Sequence, residues 1–131
     1  MTQEEKQLLL KDFCARLPYG VWVNFRGNIE VLHEVHIYQS VQTVVGISGN
    51  LYDVDMPNIK PYLRPMSSMT EEEINEFILI SDTTLWLGNK RSTCILSLEQ
   101  MDWLDKKMFD YRGLIPMGLA LEAPEGMYKT E

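Results

Sequence analysis

The stretch VWVNFRGNIEVLHEVHIY, residues 21–38, decides how the rest of the chain is read. Val21, Val23 and Phe25 alternate with Trp22, Asn24 and Arg26. A period of two residues marks a strand with one face buried. Gly27-Asn28 follows, a pair suited to the tight turn of a hairpin. Beyond it Ile29, Val31, His33, Val35 and Ile37 fall on one face, opposite Glu30, Leu32, Glu34, His36 and Tyr38. A third strand is expected over 42–48, and Gly49-Asn50 turns it into a short strand holding Tyr52, Val54 and Met56. Successive short strands joined by tight turns make an antiparallel meander, which curls readily into a small half-open barrel of the SH3-like kind.

Outward from the meander the period changes to that of helices. Thr2-Gln3-Glu4-Glu5, Thr70-Glu71-Glu72-Glu73 and Ser97-Leu98-Glu99-Gln100 each place a hydroxyl three residues before Glu or Gln. That spacing lets the two side chains exchange hydrogen bonds with the first turn of a helix, whose positive end also favours the acids. The first helix is predicted over about 3–16, with Leu9, Leu10, Phe13, Cys14 and Leu17 as its apolar stripe. Leu17-Pro18 ends it, because a residue before proline avoids the helical region. The second, over 71–80, offers Ile74, Phe77 and Ile78; the third, over 98–110, offers Leu98, Met101, Leu104 and Met108. The expected fold is α+β, a small antiparallel meander with an N-terminal helix and two further helices. The whole of 1–131 reads as one domain: helix 1–18, meander 19–56, proline-rich connector 57–69, helical part 70–113 and docked tail 114–131. Three prolines in the connector argue against a helix or a central strand there. A further hairpin is expected in LWLGNKRSTCIL, with its turn near Gly88–Arg91.

Composition bounds the function classes. The 131 residues are 45% apolar and 24% charged, as in an ordinary folded domain. No apolar run approaches the roughly 20 residues of a membrane span, and the acidic start MTQEEKQLLLKD lacks the features of a signal peptide. A cytoplasmic protein is expected. Cys14 and Cys94 are far apart, outside any CxxC pair, and read as two buried small side chains. Of the net charge of −7, residues 1–65 carry 6 Lys/Arg and 7 Asp/Glu, and residues 66–131 carry 6 and 12. Such a chain repels a polyanion in bulk, so nucleic-acid binding would need a local basic patch.

No motif specifies a chemistry. His33 and His36 are three residues apart on a strand, where they point to opposite faces and cannot share one metal ion; His33 reads as a core histidine. Asp53 and Asp55 share a strand face but have no third ligand nearby in sequence, and read as a solvated edge. Ser67 and Ser68 lead into a helix, and the glycines form no phosphate-binding motif. No catalytic, metal or cofactor-binding residue is therefore assigned, no cofactor is expected, and the chain reads as a non-enzyme. Met56, Met66 and Met69 flank the connector and serve either as gap-fillers or as an adaptable binding surface.

Three blocks, LPYGVWV, IKPYLRPMSSMTEEE and FDYRGLIPMGLALEAPEGMY, resemble a family of short uncharacterised proteins encoded in gut-bacterial genomes, often beside prophage or other mobile-element genes. The resemblance implies a phage-like or mobile-element context and no particular chemistry. The expected function is a non-enzymatic protein-interaction or accessory module whose partner is another protein. Its candidate surface is Lys60, Tyr62, Arg64, Tyr111 and Arg112, where cations stand beside aromatic rings. The alternative is a nucleic-acid-associated factor that uses Lys60, Tyr62 and Arg64, or the Lys90-Arg91 turn, as a basic and aromatic patch, and an enzyme of unrecognised type comes third. At the FDYRG corner, Gly113 is placed to stop a helix, with Leu114 and Ile115 packing back. Asp110, Tyr111 and Arg112 then either tie the tail down or face a partner; the tie is the favoured reading.

Overall fold

The computed structural model of the chain describes residues 2–38, 42–47, 49–53, 59–80 and 98–128. Among the described residues, three α-helices, α1 (Gln3–Arg16), α2 (Glu71–Leu79) and α3 (Leu98–Lys106), accompany six strands. These are β1 (Trp22–Phe25), β2 (Asn28–Tyr38), β3 (Gln42–Ile47), β4 (Asn50–Asp53), β5 (Lys60–Leu63) and β6 (Leu121–Glu122). They form one open sheet in the order β4-β3-β2-β1-β5-β6, antiparallel except for β5 against β6. The fold is α+β, as the alternation and capping boxes predict.

The hairpin between β1 and β2 closes at Phe25↔Asn28, so its two turn residues are Arg26 and Gly27, with φ of 53° and 86°. A two-residue turn whose hand matches the twist of the strands needs positive φ at both positions. The turn thus sits one residue earlier than Gly27-Asn28, and an arginine takes the left-handed place. The second tight turn also shifts, since β3 and β4 close at Ile47↔Asn50 and Asn50 belongs to the strand.

A bulge in β2 overturns the expected facing of that strand. Its register against β3 slips between Leu32 and Glu34. An extra residue at a bulge reverses the phase of the pleat. Leu32 is buried, and Val35, three residues on, packs against the same core. Ile29 and His33, expected inside, are exposed. His33 is therefore no core histidine. The sheet curls enough for Phe25 of β1 to meet Tyr52 of β4, ring centroids 4.4 Å apart, although these strands share no hydrogen bonds.

The proline-rich connector is also corrected, for residues 60–63 are β5, an interior strand between β1 and β6. Pro61 is tolerated because β6 pairs only with Tyr62 and Leu63, so no rung with β6 falls on Pro61. Ile59, Pro61 and Leu63 point inward and are buried. The main core joins them to Leu9 and Phe13 of α1, Val21 and Val23, Leu32, Val45 and Ile47, Met108, Leu114 and Leu119. Each large aliphatic or aromatic side chain removed from water there contributes about 1.5–3 kcal/mol. A second cluster, Trp103, Leu104 and Phe109, is covered by Met69, Phe77, Ile80 and Tyr111.

Both described capping boxes form, Thr2 with Glu5 and Thr70 with Glu73; Ser97 of the third lies outside the described residues. α1 buries Leu9, Asp12, Phe13 and Arg16, whereas Cys14 is exposed and not the buried side chain expected. The face rotates because Asp12 and Arg16 find partners inside. In α2, Ile74 and Ile78 remain exposed, Phe77 is half-buried and Glu73 is the buried residue. Met66 is exposed and Met69 half-buried. The 85–96 hairpin, Cys94, Asp55, Met56 and Lys90-Arg91 lie outside the described residues. No helix among the described residues is long and apolar enough to cross a membrane.

Candidate functional site

The five candidate residues divide between two places. Arg64, Tyr111 and Arg112 belong to a charged hub between the helices and the end of β5. Lys60 and Tyr62 lie on the outward face of the sheet.

The hub begins where α3 ends. Met108 has φ 65°, Phe109 N donates to Leu104 O at 2.9 Å, and Met108 N donates to Asp105 O at 3.1 Å. This is the six-to-one and five-to-two bonding of a Schellman helix stop, with Leu104 and Phe109 in the hydrophobic contact that accompanies it. The stop therefore falls at Met108, ahead of Gly113, even though methionine is disfavoured in that conformation by about 1–2 kcal/mol. Its side chain is almost fully buried in the main core, which offsets the strain.

Arg16 reaches this helix end from α1. It donates to Phe109 O at 2.6 Å, to Leu104 O at 3.4 Å and to Asp105 O at 3.5 Å, and its Nε donates to Asp12 Oδ1 at 2.9 Å. The guanidinium is fully buried. It adds a second, charged donor to carbonyls that already accept backbone bonds and meets the negative end of the helix dipole. Arg112 Nη1 donates to Asp12 Oδ1 at 2.8 Å and to Asp105 Oδ1 at 3.1 Å. Tyr111 donates its hydroxyl proton to Asp105 Oδ2 at 3.2 Å. Two carboxylates and two guanidiniums balance, which is what allows charge at this depth.

Burial outweighs the arginines at Asp12. Its Oδ1 accepts from both, its Oδ2 is buried without a partner among the described residues, and the carboxyl is pushed up from its ordinary range. Burial likewise raises the Tyr111 phenol to about 12. The carboxylate of Asp110 accepts from Leu114 N at 2.8 Å and Ile115 N at 2.9 Å, folding the tail back. Arg64 N donates to Met108 O at 2.7 Å and Asp110 N to Arg64 O at 2.8 Å, pinning the corner to the end of β5. The Arg64 guanidinium lies 4.1 Å from the Phe109 ring centroid and forms a fork on Glu73, at 2.7 and 2.9 Å. Those bonds, led by the one from Arg64, hold the Glu73 carboxyl below its ordinary value. Arg64, Tyr111 and Arg112 thus have internal partners, and Asp110 folds the tail back on the corner.

The outward face of the sheet is different. Trp22 pairs with Val31, Asn24 with Ile29 and Asn24 with Lys60. Paired residues share a face, so Trp22, Asn24, Ile29, Val31, Lys60 and Tyr62 form one outward patch across β2, β1 and β5. Each keeps part of its surface in solvent; Ile29 is 49% exposed. Asn24 Nδ2 donates to the Tyr62 hydroxyl at 3.0 Å, fixing both side chains. Beside the patch a shallow cavity of about 360 Å³ is lined by Trp22, Ile29, Pro124, Glu125, Gly126 and Met127. A second, of about 420 Å³, lies on the other flank of the same tail segment, between Arg64, Ser68 and Thr70 and residues 122–128.

Sequence reasoning missed Trp22, Asn24 and Ile29 on this patch, because Ile29 was assigned to the core by an unbroken alternation. It also missed Asp12 and Arg16, although their i, i+4 spacing on the Leu9/Phe13 stripe was visible. His36 bonds Glu34 Oε1 at 2.8 Å, and Ser68 Oγ donates to Pro65 O at 2.6 Å. Among the described residues no group of three or more His, Cys, Asp and Glu is placed to hold a metal ion. Neither protein-family models, nor curated proteins, nor solved structures return a match to this chain.

Proposed function

We propose that the chain is a non-enzymatic protein-interaction module, cytoplasmic and of phage-like or mobile-element origin, that binds another protein through the outward face of β1, β2 and β5. The observation that carries this reading is the patch of Trp22, Ile29, Lys60 and Tyr62 on a rigid sheet, next to an apolar cavity. Aromatic side chains fixed on a rigid face are the usual anchors of an interface. The origin rests on the resemblance of the LPYGVWV, IKPYLRPMSSMTEEE and FDYRGLIPMGLALEAPEGMY blocks. Affinity capture from bacterial lysate with the full chain and with an Ile29→Asp/Lys60→Glu variant tests the reading. Both substituted side chains are part-exposed, so melting temperature should hold while a specific partner is lost. Equal capture by both baits contradicts it.

The alternative is nucleic-acid binding by the same face, favoured by Lys60 standing two residues from Tyr62 on β5 and diagonal to Trp22 on the paired strand. Rings beside a cation can stack bases and hold phosphate, but the net charge of −7 opposes a polyanion. A labelled single-stranded oligonucleotide that binds at low salt and is released steeply as salt rises supports the alternative. No binding at low salt removes it.

A further inference from the structure

The C-terminal segment lies against the sheet in an unusual way. The β1–β5 ladder pairs Asn24 with Lys60 and Val23 with Pro61, and its next rung would join Trp22 to Tyr62. The Tyr128 hydroxyl stands in that rung instead. It accepts from Trp22 N at 2.8 Å and donates to Tyr62 O at 2.9 Å. Upstream, Leu121 and Glu122 pair in parallel with Tyr62 and Leu63, and Ala123 N donates to Leu63 O at 2.8 Å. Between these two attachments the segment turns at Pro124–Met127, with a cavity on each flank. Leu119 and Ala120 are buried, but every residue from 121 to 128 keeps part of its surface in solvent. The segment is therefore held by a short edge pairing, the Tyr128 hydroxyl and the Tyr128 ring against the main core, while residues 122–127 make no core contact. Segments with few buried contacts open locally before the whole domain does.

We propose that the edge of β5 and the open Trp22–Tyr62 rung form a binding site for an extended peptide segment bearing a tyrosine, which residues 121–128 occupy in cis. This rests on the reading of the sheet face as an interaction surface and names the kind of partner it takes. Main-chain bonds to the β5 edge supply affinity, as when a peptide adds a strand to a sheet. The phenol supplies selectivity, since only a side chain that both donates and accepts can bridge an N–H and a C=O. A partner segment must displace the cis segment, so its apparent affinity is reduced by the fraction of time the site is closed.

The test uses full-length protein and a fluorescent peptide with the sequence of residues 121–128, LEAPEGMY. Tyr128→Phe leaves Trp22 N–H and Tyr62 C=O without their bridge and favours the open state. Binding of the peptide to this variant is expected to be roughly tenfold tighter than to the wild type. The same peptide with Phe in place of its Tyr should bind more weakly. Equal affinity for the two proteins, equal affinity of the two peptides, or no binding to the variant overturns the proposal. Should Tyr128→Phe fail to fold, amide exchange on the wild type decides. The Trp22 and Ala123 amides should exchange together and faster than Val45; exchange of all three only at the rate of global unfolding overturns the site. Neither readout needs the lysate partner, so this inference and the reading it deepens fail separately.

Discussion

Arg16 reports how a charged residue can hold a small core together. Its guanidinium bridges α1 to the end of α3 through three carbonyls and Asp12. A lysine cannot reproduce that fork, so Arg16→Lys should cost about 2–4 kcal/mol in urea unfolding despite keeping the charge. Loss of less than half a kcal/mol would show that charge alone matters. Met108 poses the opposite balance. Met108→Gly relieves a left-handed φ by about 1–2 kcal/mol but deletes a buried side chain worth about 2–5 kcal/mol. Net destabilisation is expected; a more stable variant would show that backbone strain dominates. Both residues were hard to read from sequence for the same reason. A charge on an apolar stripe is ordinarily solvated, and a methionine ordinarily gives way to the next glycine, here Gly113. Only the packing of α1 on α3 reverses each preference.

Among the elements, α2 is tied to β5 by one carboxylate and packs Phe77 on Trp103. Glu73 caps its own helix at Thr70 and takes the Arg64 fork. Glu73→Ala should lower stability by about 1.5–3 kcal/mol near neutral pH, the value of a charge-assisted hydrogen bond. The folded carboxyl titrates below its unfolded value of 4.5, so its stabilisation is present above that pH and fades as pH falls through the folded value. The gap between variant and wild type should therefore close in acid; a gap that persists there would mean packing, not charge. The capping box itself was legible, because Thr-x-x-Glu states its own geometry. The Arg64 pairing was not, since Arg64 lies at the end of a strand that three prolines disguised as a loop. The bulge at Leu32/Glu34 was equally hidden: a single extra residue leaves the alternation intact on either side while exchanging the faces. That exchange moved Ile29 and His33 outward and created the outward patch.

For the whole molecule, sheet and helices are joined by buried polar groups as much as by apolar contact, and this gives stability an alkaline limit. Burial raises Tyr111 from 10.0 to about 12 and raises Tyr128 as well. Between the unfolded and folded values the native state holds more protons than the unfolded chain, so stability must fall as pH rises through that window. Thermal melts should decline from about pH 10 upward together with phenolate absorbance; a flat profile there would place both phenols in solvent. The architecture was legible from periodicity and caps, while the division of Lys60, Tyr62, Arg64, Tyr111 and Arg112 between the sheet face and the ion pairs was not, because it depends on partners distant in sequence. Denaturant unfolding of Arg112→Ala beside Lys60→Ala separates the two roles. Arg112→Ala leaves Asp12 to Arg16 and Asp105 to Tyr111, one cation short in a buried cluster, and should lose about 2–4 kcal/mol, whereas Lys60→Ala should stay within about 0.5 kcal/mol of wild type. An Arg112→Ala protein as stable as the wild type would contradict the account and return the FDYRG corner to the candidate binding surface.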